Sequence, residues 1–312
     1  MNDFFSTLLN EKYILSEGSI IDRLIFEYDL QCDPYILNSS VLYNPKCKEI
    51  MTIIYTQYIN VAIYNRLPII ITTPTWQAST ENIKKSRFFN KPVIEDSVSF
   101  VYHIRDFFPL LRKHIFIAGQ IGPILNEDYT FSFPDEKRAY TYHKDTIFSL
   151  LENEIDFIYL SSFSSLQEII GCVKILSSLK APYIIGCVID KNGNLLDGFD
   201  FNQLVIVLDN EFEFPPYAYF ITCTNPIDLN NAFKNFKRNT LNRLLGIMPG
   251  VYENYYHFNL SSDRGYRIEV NDFVEATKNL VEQYPIKIIG GSCGTDIRHI
   301  NYLANYLSLK KQ

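Results

Sequence analysis

The sequence predicts an α/β protein, a single (β/α)8 (TIM) barrel with its active site at the C-terminal ends of the strands. Eight short apolar runs rich in β-branched residues each end in a cluster of Gly, Ser, Thr or Pro, as buried parallel strands do. Amphipathic segments of helical length lie between several of these runs, and such alternation implies a parallel sheet. The 312 residues suit one closed barrel, and no linker or charge block divides the chain, so residues 1–312 are predicted to form one domain.

The predicted strands are spread along the whole chain. Each is a short run of mostly uncharged, bulky residues, and the continuous apolar character indicates burial on both faces of the sheet. In chain order the predicted strands are 13–19, 68–75, 114–122, 157–162, 183–189, 218–224, 245–250 and 286–293.

Four segments between the strands have the spacing of amphipathic helices. In the second of them, Ser165 and Glu168 have the spacing of a capping box, which predicts a helix start there. Strand starts are further apart early in the chain, and this predicts excursions at 92–108 and 126–142. The predicted helices are 47–65, 165–179, 272–283 and 296–309.

Composition excludes several classes of function. The formal charge is 29 − 35 = −6, which argues against a protein that binds nucleic acid or membranes through a basic surface. No run approaches 18 uncharged apolar residues, and residues 1–14 do not resemble a signal peptide. The six cysteines include no CxxC pair, which makes a disulfide scaffold a poor interpretation. We therefore expect a soluble, cytoplasmic protein.

Two cysteines fall where catalytic groups of a barrel are expected. Cys223 follows the sixth predicted strand and Cys293 the eighth, and the loops after parallel strands converge at one face. Two thiolates there could bind a soft metal ion, most simply zinc. The alternative is two unrelated buried thiols. Spacing alone does not decide between these readings.

Six short blocks occur in order over residues 13–305, and the last of them is Ile-Ile-Gly-Gly-Ser-Cys-Gly-Thr at 288–295. This block is similar to the closing Gly-Gly-Cys-Cys-Gly-Thr of the homocysteine S-methyltransferase family, which the chain resembles in all six blocks. Any one block alone would be weak, whereas six in the same order are specific. The other blocks are Leu-Ser-Glu-Gly-Ser at 15–19, Thr-Thr-Pro-Thr-Trp-Gln-Ala-Ser at 72–79, Ala-Gly-Gln-Ile-Gly-Pro at 118–123, Leu-Leu-Asp-Gly at 195–198 and Thr-Cys-Thr-Asn-Pro at 222–226.

The resemblance implies a zinc site with a departure from the family pattern. In the family, three cysteines hold zinc, and the metal ionises the thiol of homocysteine for attack on a methyl donor. Cys223 and Cys293 match two of these ligands. Ser292 stands at the position of the third, and a serine hydroxyl is a poor zinc ligand, so zinc binding is expected to be weak or absent. The five histidines offer substitutes, although a lone histidine is more often structural.

The resemblance also implies substrate contacts at Glu17, Gly18, Thr73, Trp76 and Ser161. Glu17 replaces the family's aspartate after the first strand, and Ser161 stands where the family carries a glutamate that pairs with the homocysteine ammonium. Trp76 is either an aromatic wall for a methylated onium donor or a residue that covers the barrel core. Tyr252, Tyr255 and Tyr256 could likewise line a pocket or merely pack.

Three functions remain open. The first is a zinc-dependent enzyme with no catalytic residue beyond the metal-activated thiol, methylating homocysteine to methionine with S-methylmethionine or S-adenosylmethionine as donor. Betaine is disfavoured by Gln77, which stands where betaine users carry an aromatic residue, and a folate donor would require further cobalamin-handling domains. The second is a barrel that lost its metal and serves as a ligand-binding or regulatory protein. The third is an enzyme with a different substrate. The sequence does not fix the oligomeric state.

Overall fold

Eight parallel strands close into a barrel in the computed structural model of the chain, which describes residues 4–253 and 266–311. Neighbours around the barrel are neighbours in the sequence, and Ile14 of the first strand pairs with Ile288 of the last to close it. This confirms the predicted (β/α)8 fold. The strands are β1 (Ile14–Ser16), β2 (Ile69–Thr72), β3 (Ile115–Ile121), β4 (Phe157–Phe163), β5 (Tyr183–Cys187), β6 (Ala218–Thr222), β7 (Leu244–Met248) and β8 (Ile288–Ile289).

Helices follow or interrupt the connections between these strands. All four predicted helices are confirmed, each within two residues at either end. The predicted excursion 92–108 contains a helix, and the stretch 201–211, which the sequence analysis left unassigned, forms another. Within the described residues the helices are α1 (Phe4–Asn10), α2 (Pro45–Tyr64), α3 (Thr80–Lys85), α4 (Val93–Asp106), α5 (Glu136–Leu151), α6 (Leu166–Ser178), α7 (Phe201–Glu211), α8 (Pro226–Ala232), α9 (Arg238–Arg243), α10 (Val270–Gln283) and α11 (Ile297–Lys311).

Alternate residues of each strand belong to two apolar layers. Ile70 of β2 points into the barrel with Phe116, Phe157 and Phe220, whereas Ile69 and Ile71 on the same strand pack outward against the helices. Successive side chains of a strand point to opposite faces, so a strand buried on both sides must be apolar throughout. This explains the continuous apolar runs in the sequence.

Helix α1 covers the N-terminal end of the barrel. Phe4 is fully buried there, and its ring stacks on Phe157 at a centroid distance of 4.4 Å and meets Phe116 edge-on at 5.2 Å. Lys287 donates a hydrogen bond to the carbonyl of Leu8, which ties the end of α1 to the last strand. The opposite end of the barrel, where the strands terminate, holds a cavity.

Helix α6 begins without the predicted capping box. Ser165 is the N-cap residue, but its side chain accepts no hydrogen bond from the first turn. The carboxylate of Asp197 accepts from the N–H of Leu166 instead. Glu168 turns away and accepts a hydrogen bond from the N–H of Ile124 at 2.7 Å. The capping-box prediction is wrong because the N–H of Leu166 and the carboxylate of Glu168 both bind residues that are distant in the sequence.

Among residues 4–253 and 266–311, no helix combines the length and the apolar character that crossing a membrane requires.

Candidate functional site

A cavity of about 90 Å³ lies at the C-terminal ends of the strands. Thr73 is absent from its lining: the Thr73 hydroxyl contacts that of Thr75 and accepts from the N–H of Gln120, and the neighbouring Thr72 lines the cavity in its place. The other site residues chosen from the sequence all line this cavity, namely Glu17, Gly18, Trp76, Ser161, Cys223, Ser292 and Cys293.

The two thiols after β6 and β8 lie side by side at the cavity wall. The sulfur atoms of Cys223 and Cys293 are 3.3 Å apart, although 70 positions separate them in the chain. Thiolates at such a position are favoured ligands for zinc and other soft cations. The structure thus brings the two sulfurs together, and their role as metal ligands stays a prediction.

Ser162, at the end of β4, is a third group beside these thiols, and it was not among the predicted site residues. Its hydroxyl oxygen is 3.3 Å from the sulfur of Cys223. Both residues have positive φ, +68° at Ser162 and +62° at Cys223, which is uncommon for residues other than glycine. Strained backbone of this kind clusters at functional sites, where surrounding contacts hold it. No sequence pattern reveals this conformation.

The environment of Cys223 favours its thiolate. A hydrogen bond from the Cys293 thiol lowers the pKa of Cys223 from 9.0 to about 7, and the hydroxyls of Ser162, Ser292 and Thr222 act in the same direction against burial. Hydrogen bonds to an ionised group stabilise it relative to its protonated form. The thiol of Cys223 is therefore more acidic than that of an ordinary cysteine. By contrast, burial raises the pKa of Cys187, at the end of β5, above the 9.0 of an ordinary cysteine.

The side chain of Ser292 does not complete a zinc site. Its hydroxyl accepts a hydrogen bond from the backbone N–H of Cys223 at 2.9 Å and donates one to the carbonyl of Met248 at 2.7 Å. Within the described ranges, no three His, Cys, Asp or Glu side chains form a group that could hold a metal ion. The described residues therefore supply two adjacent sulfurs and do not fit the three-cysteine zinc site that the family pattern implies.

The histidines offer no third ligand within the described residues. His143 and His299 are fully buried, and they contact Glu168 and Asp296 rather than the cysteines. His257 lies outside the described residues. So do Tyr255 and Tyr256, whereas Tyr252 lines a separate groove beside the cavity.

Glu17 supplies a buried carboxyl group to the cavity. One of its oxygens accepts a hydrogen bond from the Thr72 hydroxyl at 2.6 Å, and the other, Oε2, is buried without a partner among the described residues. Burial raises the pKa of Glu17 from 4.5 to about 8, against the hydrogen bonds from Thr72. The amide oxygen of Asn38, another cavity residue that the sequence analysis missed, is buried and similarly unpartnered. Both atoms can accept a hydrogen bond from a ligand.

We expect the free energy of unfolding of Glu17→Gln to increase relative to that of the wild type as pH rises. Between pH 4.5 and 8 the folded wild type retains a proton that the unfolded chain releases, so its free energy of unfolding falls by about 1.4 kcal/mol per pH unit from this group. Glutamine removes this loss. The variant should gain on the order of 3–5 kcal/mol relative to wild type between pH 5 and pH 8.5. Urea unfolding at the two pH values measures the difference.

The exposed residue Glu127 provides the control for this experiment, because Glu127→Gln should leave the difference from wild type the same at both pH values. A Glu17→Gln difference that does not change with pH would show that the folded protein holds Glu17 ionised.

Trp76 forms one wall of the cavity and is held from two sides. Its indole N–H donates to the carbonyl of Ser161 at 3.1 Å, and its own carbonyl accepts from the N–H of Gly122 at 2.7 Å. A Cβ atom at residue 122 would lie 2.3 Å from that carbonyl oxygen, so glycine is required there. Both of the earlier interpretations of Trp76 remain open, because a cavity wall can bind an onium group or simply cover the core.

Ser161 and Gly18 show how the cavity differs from one built around an ammonium–carboxylate pair. The hydroxyl of Ser161 accepts from the side-chain amide of Gln120 at 3.2 Å and supplies no charge. A Cβ atom at residue 18 would lie 2.7 Å from the hydroxyl of Tyr58, which is on α2. Gly18 therefore allows α2 to pack against the rim of the barrel. Among the described residues that line the cavity, Glu17 is the one acidic side chain, and no Lys, Arg or His lines it.

Comparison with known proteins identifies one family. The model of the homocysteine S-methyltransferase family matches residues 14–307. No curated protein sequence matches this chain significantly. Crystal structures of the homocysteine methyltransferase MmuM from Escherichia coli share the fold at 16% sequence identity. The metallated form has a TM-score of 0.75, with 98% of this chain and 100% of that chain covered, and the oxidised form has a TM-score of 0.73, with 97% and 99% covered.

Proposed function

Because this chain belongs to the homocysteine S-methyltransferase family, we propose that it transfers a methyl group from an onium donor to the thiol of homocysteine, giving methionine. The observation that carries the proposal is the close pair of sulfurs, 3.3 Å apart, in the same cavity as a carboxyl group and an indole. Methyl transfer between sulfur atoms is an in-line displacement, so acceptor and donor must be held in line at close range.

Glu17 is the group that we propose binds the amino end of the acceptor. Its unpartnered oxygen can accept a hydrogen bond from the substrate ammonium, and the ammonium charge would favour ionisation of the carboxyl group. Since the wild-type carboxyl is largely protonated at pH 7, binding would release a proton. Asn38 adds a neutral acceptor on the same cavity wall. Ser161 contributes no charge, so the acceptor is bound with one carboxyl group.

Trp76 is the group that we propose faces the methyl donor. An onium methyl group over an indole face gains roughly 0.5–2 kcal/mol from cation–π attraction. The indole hydrogen bond to Ser161 constrains the ring, and the hydrogen bond from Gly122 holds the Trp76 backbone, before the donor arrives. S-methylmethionine and S-adenosylmethionine are the donors that we propose, since each carries a methyl group on a cationic sulfur.

Zinc is the cofactor that the family implies, and when bound it would lower the pKa of the acceptor thiol. Since two sulfurs do not make the complete site, we propose that the wild-type chain binds zinc weakly, through Cys223 and Cys293. The hydroxyl of Ser292 already forms hydrogen bonds with the backbone of Cys223 and Met248. This favours a second candidate function, a barrel that binds the amino-acid thiol without methylating it.

A labelled acceptor tests the proposal. Purified protein is incubated with 15N-homocysteine and S-methylmethionine, or with S-adenosylmethionine, with and without added zinc, and 15N-methionine is measured by mass spectrometry. Only methylation of homocysteine produces the labelled product, because the label is absent from the donor. Labelled methionine above the no-protein rate supports the enzyme. Calorimetric binding of homocysteine without turnover supports the second candidate, and neither binding nor turnover contradicts both.

A further inference from the structure

Glu168 on α6 and His143 on α5 form a buried ionisable pair that the proposed reaction does not use. The imidazole Nε2 of His143 and a carboxylate oxygen of Glu168 are 2.9 Å apart, and both side chains are at most 1% exposed. Burial raises the pKa of Glu168, opposed by its contacts with His143 and Ile124. The other carboxylate oxygen and Nδ1 of His143 have no partner in the described part of the chain.

A buried ionisable pair with unpartnered polar atoms is an unfavourable way to pack α5 against α6. A buried polar atom without a hydrogen-bond partner destabilises the folded state, and an apolar pair of similar volume would avoid that penalty. What the carboxylate does beyond packing is to accept the N–H of Ile124 at 2.7 Å. It therefore fixes the backbone immediately after β3.

The backbone that Glu168 fixes is in contact with the Trp76 segment. Two residues before Ile124, the N–H of Gly122 donates to the carbonyl of Trp76 at 2.7 Å. Between them, the carbonyl of Pro123 accepts from the side-chain amide of Gln77 at 2.9 Å. Segment 122–124 thus connects the buried carboxylate of Glu168 to Trp76 and its neighbour Gln77.

We propose that Glu168, oriented by His143, is a positioning residue that sets the place of the Trp76 indole at the cavity wall through segment 122–124. The functional meaning of this arrangement rests on the proposed function, in which Trp76 faces the donor. The arrangement itself does not, because the place of the indole can be measured in the protein without any substrate.

The tryptophan provides the measurement, because Trp76 is the only one in the chain. Glu168→Ala removes the acceptor for the Ile124 N–H, and we expect the emission of Trp76 to move to longer wavelength. Quenching by acrylamide should increase roughly twofold, as for a locally opened segment. Glu168→Gln keeps an oxygen for that N–H and should retain wild-type emission and quenching.

Cys172→Ala is the matched control. Cys172 is fully buried on α6, one turn after Glu168, so its replacement disturbs the same helix but keeps Glu168 and its hydrogen bond to the N–H of Ile124. It should leave Trp76 emission unchanged in folded protein. An equal shift in Cys172→Ala and Glu168→Ala would overturn the proposal, since any damage to α6 would then move the indole.

Gln77→Leu tests the same link from its other end, and it decides the matter if Glu168→Ala does not fold. This variant removes the hydrogen bond to Pro123 and should reproduce the change in emission and quenching, while the double variant with Glu168→Ala should add little to either. Wild-type emission in folded Gln77→Leu would refute the link. Absence of methyl transfer would contradict the proposed function alone, because these readouts use substrate-free protein.

Discussion

Replacement of Ser292 by cysteine is expected to raise the affinity for zinc at least about a hundredfold. A structural zinc site is worth about 10–16 kcal/mol, hence about 3 kcal/mol per ligand, and each 1.4 kcal/mol is tenfold in affinity. The hydroxyl of Ser292 already interacts with the thiol and the backbone N–H of Cys223, so a sulfur in its place lies beside the existing pair. Competition with a chromophoric chelator at fixed pH measures the change.

Absorption spectra of the cobalt(II)-loaded protein test the same prediction independently. Each thiolate bound to cobalt adds sulfur-to-metal charge-transfer absorption, so Ser292→Cys should absorb more strongly than wild type. Ser97→Cys is the control, because Ser97 is also buried with its hydroxyl bonded to backbone, but lies on α4. Unchanged zinc affinity in folded Ser292→Cys would mean that another group already completes the site, or that the two sulfurs hold no metal.

The barrel and the meeting of Cys223 with Cys293 could be predicted from sequence for the same physical reason. A parallel sheet buried on both faces must have apolar strands, and the loops that follow such strands must converge at one end. Cys223 directly follows β6, and Cys293 follows β8 by four positions, so knowledge of the strand order alone places them near each other. No detail of side-chain packing was needed for that inference.

The rest of the site depends on contacts that a linear pattern does not contain. Ser162 reaches Cys223 because both residues have a left-handed backbone conformation, which residues other than glycine rarely adopt. Asn38 reaches the cavity from a short 3-10 segment in the long connection after β1. Glu168 fitted a capping box, yet the N–H of Ile124, 44 positions away, binds its carboxylate. Local motifs fail where a distant partner competes for the same group.

Loss of either sulfur is expected to abolish methyl transfer, and loss of both should cost little more than loss of one. Cys223→Ser removes the thiol whose pKa is lowered to about 7, and Cys293→Ala removes the hydrogen bond chiefly responsible for lowering it. We expect each variant to fall below about a thousandth of the wild-type rate of 15N-methionine formation, because residues that act as a unit are not additive.

Cys187→Ala is the matched control for the two thiol variants. Cys187 ends the neighbouring strand β5, but it is fully buried and does not line the cavity, so the variant should retain wild-type activity if it folds. Two outcomes would contradict a single site formed by the two thiols. One is wild-type kcat/KM in folded Cys223→Ser, and the other is a double variant whose loss equals the product of the single losses. In the second case the sulfurs, although 3.3 Å apart, would act independently and would not form one site.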